Sequence, residues 1–111
     1  MPEFYFERES RTPNSESYVI EGENGRLGRV DIHYAPGGAA YATLCVLERL
    51  TDEEIRELIG EVDERLVMTA DPYREDFVVT VWAGREVGSY CDEDFETEEE
   101  EEEAEGNGHR L

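Results

Sequence analysis

The chain has 111 residues, with 30 acids against 10 bases and a formal net charge of −20. That length suits one domain with a modest core, and no run approaches the ~20 apolar residues needed to cross a bilayer, so no membrane association is expected. Phosphate recognition needs clustered Lys and Arg, so direct nucleic-acid binding is excluded and the expected partner is a protein with a basic surface, or a second copy of the chain.

The acidity is not confined to one end. Residues 1–91 hold 19 acids and 9 arginines, while residues 92–111 hold 11 acids and 1 arginine, so each part carries −10. All ten bases are Arg, a composition that also accompanies adaptation to heat or salt. The start, MPEFYFERES, has neither the basic opening nor the apolar centre of a secretory signal, so a cytoplasmic location is expected. Two cysteines make no disulfide scaffold. Cys45 falls in an apolar run and reads as a small core residue, and Cys91 precedes an acidic run that dulls its thiol.

From the N-terminus, Glu3 to Glu9 carries three aromatics and reads as an edge strand. Ser10 to Ser17, polar and with Pro13-Asn14 inside it, reads as a loop. Tyr18 to Glu21 is a short strand, Asn24-Gly25 a tight turn with positive φ, and Arg26 to Tyr34 the returning strand. On that strand Val30, Ile32 and Tyr34 alternate with Arg29, Asp31 and His33, so one face is buried and the other wet. Pro36-Gly37-Gly38 makes the next turn, and Ala40 to Leu47 is apolar on both faces.

Leu50 to Leu66 is the best-specified stretch. Thr51 and Glu54 form a capping box, and Asp52, Glu53 and Glu54 place negative charge at the positive end of the helix dipole. Ile55, Leu58, Ile59, Val62 and Leu66 form one apolar stripe. Phe77 to Ala83 is again apolar on both faces, Gly84-Arg85 reads as a two-residue hairpin turn, and Val87 to Cys91 as a last strand.

Connection lengths constrain the topology. Only about three residues link the strand ending at Leu47 to the helix, so the helix folds back across the sheet, and at ~1.5 Å per residue it spans about one strand length. The strands flanking it therefore lie parallel, while the other connections are hairpins. The expected fold is α+β: a mixed, mostly antiparallel sheet of five or six strands in a domain over 1–91, with one amphipathic helix on one face. Residues 92–111 are expected to form a disordered acidic tail. One helix covers one face, so the strands apolar on both faces need a second cover, supplied by the N-terminal segment, a second copy or another protein.

The search for chemistry returns little. There is no phosphate-binding GxxxxGK[ST], no GxGxxG, no HExxH and no GxSxG, so no cofactor, metal or catalytic residue is assigned. Asp92, Asp94, Glu96 and Glu103 fit four positions of a calcium loop, but Thr97 stands where the sharp-turn Gly belongs. What remains is like charge. Glu53, Glu57, Glu61 and Glu64 share the helix face turned from the apolar stripe, and the Glu53–Glu57 and Glu57–Glu61 pairs are repulsive.

These features point to a non-enzymatic, acidic interaction module, one version of which is an inhibitor whose carboxylates stand in for nucleic-acid phosphates. Glu53, Glu57, Glu61, Glu64, Asp92 and Asp94 are its candidate contact residues. The alternative from another class is an enzyme or ligand-binding domain with a pocket between helix and sheet, lined by Tyr18, His33, Tyr41 and Trp82. A third reading is an accessory subunit of a larger assembly.

Overall fold

In a computed structural model of the chain, residues 3–94 are described. Five strands lie side by side in chain order: β1 (Tyr5–Thr12), β2 (Ser15–Gly22), β3 (Gly25–Tyr34), β4 (Ala39–Val46) and β5 (Asp76–Ala83). β1 to β4 form an antiparallel meander, and β5 joins β4 in parallel. Between β4 and β5 runs the helix α1 (Asp52–Val62), prolonged by a π-helical turn over Asp63–Val67 and a final short piece, α2 (Met68–Ala70). The fold is thus α+β, with a mixed sheet and one main helix. Among the described residues no helix is long and apolar enough to cross a membrane.

The helix starts where its capping box places it. Glu54 N–H donates to Thr51 Oγ1 at 3.1 Å, and Thr51 N–H donates to Glu54 Oε1 at 2.9 Å, so two of the orphan donors of the first turn are satisfied. It ends later than the apolar spacing predicts, and the π turn explains how. A π turn takes one residue more than an α turn. After Leu58 and Val62 the next fully buried residue is therefore Val67, while Leu66 is only partly buried.

Under the helix lie Ile20, Val30, Ile32, Leu44 and Val46, all at most 1 % exposed. Burying side chains of this size stabilises the fold by ~1.5–3 kcal/mol each before the entropy of ordering is counted. Gly28 sits in the same layer, opposite Val46 on one side and Ile20 on the other. Arg65 Nη1 donates to the Phe4 carbonyl at 2.7 Å, and its guanidinium lies 4.8 Å from the centre of the Phe6 ring, which ties the start of the chain to the helix.

Two expected elements are corrected. Ser10 to Ser17 is not a loop. β1 continues to Thr12, only Pro13-Asn14 turn, and β2 begins at Ser15. Ser10 to Thr12 stay extended because the edge strand β1 needs little apolar surface, and Ser15 to Ser17 because they pair on their other side with Asp31 to His33 of β3; the turn between them is held locally. The hydroxyls of Thr12 and Ser15 share a hydrogen bond of 2.7 Å, and Tyr34 N–H donates to the Asn14 carbonyl at 2.7 Å.

The hairpin at Gly84-Arg85 and the strand over Val87 to Cys91 do not form, so the sheet has five strands. Gly84 N–H makes the last bond of the parallel ladder, to the Val46 carbonyl at 2.9 Å. Gly84 has φ of 155°, open to glycine, and Arg85 then pairs with Glu48 at the end of β4. Asp92 to Asp94 form a helical turn, in which Cys91 N–H donates to Asp94 Oδ2 at 3.0 Å. The rest of the expected disordered tail, 95–111, lies outside the described residues.

Candidate protein-interaction surface

One face of the sheet is covered by the helix and the other is open. β1 does not fold over that open face; it lies beside β2 in the plane of the sheet. Strand register arranges the open face in rows. His33, Tyr41 and Val78 stand side by side on β3, β4 and β5, followed by Asp31, Thr43 and Thr80, then by Arg29, Cys45 and Trp82. The charged members all lie on β3, and the six positions on β4 and β5 are uncharged.

The two halves of this face differ in how they are satisfied. On β3, Arg29 pairs with Glu9 at 3.1 Å and with Asp31 at 3.3 Å, and Ser17 Oγ donates to Asp31 at 2.6 Å. Although partial burial opposes it, the neighbouring Asp31 and Glu9 carboxylates hold the Arg29 pKa above its ordinary value. On β4 and β5, Tyr41 is 49 % exposed, Val78 43 % and Trp82 62 %. A shallow cavity of about 400 Å³ opens beside Trp82, with Cys45, Arg29 and Arg85 on its walls. Cys45, expected in the core, is half-buried on this face, and both it and Cys91 are free thiols.

The four residues of the expected pocket are not brought together. His33, Tyr41 and Trp82 are on the open face, whereas Tyr18 points to the helix side and is 8 % exposed. β2 alternates sides at each residue, and Tyr18 falls in phase with Ile20. Two cavities adjoin the helix start, one of about 430 Å³ lined by Phe4, Leu27, Leu47 and Leu50 with Arg26 and Glu54, the other of about 360 Å³ lined by Leu50, Asp52 and Ile55 with Val46 and Val81, and neither is lined by any of the four. His33 stands opposite Tyr41 without a hydrogen bond between them, so no nucleophile–base pair is assembled there.

The acidic candidates are spread over two places. Glu53 and Glu64 are exposed, and Glu57 and Glu61 are half-buried, Glu61 accepting from Arg65 at 3.4 Å. Asp92 and Asp94 are exposed in the helical turn after β5, where Asp94 is held below the usual carboxylate range by the Cys91 backbone N–H and thiol. Among the described residues no three His, Cys, Asp or Glu side chains converge as metal ligands. Glu96 and Glu103 of the calcium-loop pattern lie outside the described residues.

One buried polar group has no local signal in the sequence. Glu16, assigned to a loop, is 7 % exposed on the helix-covered face and accepts a hydrogen bond from the Tyr18 hydroxyl, with Arg11 Nε 3.8 Å from its other oxygen. Only its register opposite Ile32 would have revealed the burial. Comparison of the chain with protein families, curated proteins and solved structures finds no match.

Proposed function

We propose that this chain is a non-enzymatic binding module that meets a protein partner with a basic surface through the uncharged half of its open sheet face. The observation that carries the reading is the exposure of Tyr41, Val78 and Trp82 on adjacent strands of a chain whose net charge is −20. Aromatic side chains held on rigid strands lose little freedom on binding and make effective anchors. Acidic groups elsewhere on the surface, acting at long range, accelerate encounter with a positive partner and repel negative ones. Glu53 and Glu64 on the helix, and Asp92 and Asp94 after β5, supply that field. An inhibitor that occupies a nucleic-acid groove is the version this charge favours.

The test is an affinity capture in which the full chain and its Tyr41→Ser variant are compared at moderate and high salt. Enrichment of basic or nucleic-acid-binding proteins, lost in the variant and reduced by salt, is expected. Capture without such proteins, or unchanged by Tyr41→Ser, would sink the reading.

A further inference from the structure

The two edges of the sheet are not alike. The β1 edge carries Glu7, Arg8, Glu9 and Arg11 and a bulge between Arg8 and Ser10, the devices by which proteins prevent strand addition. After Asp76, β5 reads Phe77-Val78-Val79-Thr80-Val81-Trp82-Ala83, with no further charge, no Pro and no register shift against β4. Gly84 N–H bonds the Val46 carbonyl, so strand alternation points the even-numbered backbone groups toward β4. The N–H and C=O groups of Phe77, Val79, Val81 and Ala83 then point outward. Phe77 N–H is held by Asp76 Oδ1 at 2.9 Å; among the described residues no hydrogen bond reaches the other outward N–H groups.

We propose that a second copy of this chain pairs with β5, antiparallel and two-fold symmetric about Thr80, joining the two sheets edge to edge. The strand is its own complement in this register. Val79 meets Val81 of the second copy and Phe77 meets Ala83, and these outward-facing residues are the ones that can exchange backbone bonds. Between them Val78 meets Trp82 and Thr80 meets Thr80, apolar or hydroxyl pairs of the kind that stabilise sheets. No charge within the strand faces a like charge. Moving the register by two residues in either direction sets Asp76 opposite Trp82 or opposite Glu86, so the centred pairing is preferred. At the strand ends, Glu75 and Asp76 of one copy come beside the end of the other, which carries Arg85.

The pairing leaves Tyr41 accessible, while Val78 and Trp82 at the margin of the open face also touch the second copy; the pairing itself does not need the partner proposed above. Two copies of the same sign also repel at long range, so added salt should tighten the dimer, whereas it weakens binding to a basic partner. The experiment measures the solution mass of the purified full chain, with no partner present, at low and high salt. A mass of twice 12.7 kDa, more fully populated at high salt, is expected.

Thr80→Lys sets two like charges face to face at the symmetry axis and should raise the dimer dissociation constant roughly tenfold or more. Thr80 is exposed, so circular dichroism should show the variant folded. With Cys45→Ala and Cys91→Ser in place, Thr80→Cys should form a covalent dimer on mild oxidation, because non-hydrogen-bonded cross-strand residues bring their Cβ atoms within ~5 Å. A monomer at every salt concentration, or a dimer unaffected by Thr80→Lys and not linked by Thr80→Cys, would overturn the inference and leave the open-face reading standing.

Discussion

Tyr18 donates its hydroxyl proton to the buried carboxylate of Glu16, two residues earlier on the same strand and the same face. Burial first, and then this acid, push the Tyr18 pKa up to about 12. Tyr34 is likewise pushed up to about 12, by burial and then by the charge of Glu16. In the unfolded chain both titrate near 10, so between pH 10 and 12 the unfolded state loses protons that the folded state keeps. Stability is therefore fully present below pH 10 and falls as pH rises toward 12. The rise corresponds to roughly 2–3 kcal/mol per tyrosine at full extent. Denaturant melts between pH 9 and 12, as a titration of about three units, should show the midpoint dropping, and Tyr18→Phe should flatten the drop.

Gly28 admits no side chain. A Cβ built there would stand 2.0 Å from the Cys45 carbonyl oxygen and 2.9 Å from the Val46 Cα, and both are backbone atoms that cannot swing aside. Gly28→Ala should destabilise the fold by about 2–4 kcal/mol, in the range of severe overpacking, and a denaturant titration measures it.

Gly60 is the opposite case. It lies in α1 with helical backbone, and a Cβ there meets nothing within 4 Å. Gly60→Ala should raise stability by about 0.5–1 kcal/mol, because Ala restricts the unfolded chain more and loses less on entering a helix. A rise of a few degrees in the thermal midpoint is the expected result.

Arg74 grips Asp63 with two parallel bonds, Nε to Oδ1 at 2.9 Å and Nη2 to Oδ2 at 2.7 Å, and its guanidinium lies 5.4 Å from the Phe77 ring centre. The pair fastens the π turn to the segment that leads into β5. Both side chains are about a quarter exposed, which tempers the Coulomb gain. Asp63→Asn should cost about 1 kcal/mol, Arg74→Ala somewhat more through lost ring contact, and a double-mutant cycle should return a coupling energy of the same order.

The helix was legible because three signals agree in it: a cap, a charged first turn and an apolar stripe. The β2–β3 turn and the parallel placement of β5 also followed, the first from Asn24-Gly25 and the second from the short link between Leu47 and the helix. The run from Ser10 to Ser17 misleads because polarity also suits an edge strand and the end of the strand beside it. The strand over Val87 to Cys91 rested on a hairpin at Gly84-Arg85, and it fails because Gly84 stays on the β4 ladder and Arg85 pairs with Glu48 instead of reversing the chain. Two strands apolar on both sides signalled that a second face needed cover, but not that β1 would lie in the plane of the sheet and leave that face open. The burial of Glu16 and the separation of Tyr18 from Tyr41 depended on register, which no local pattern carries.

β5 is the one strand that cannot be added by a simple hairpin. Its partner, β4, is complete before α1 begins, so the meander of β1 to β4 can assemble from local contacts while β5 must wait for the whole helical segment to be laid down. Amide exchange should therefore find β5 among the first strands to open in the native protein, with β2 and β3, paired on both sides, the slowest. The segment that carries Trp82 would then be the last to be made and the first to be lent out.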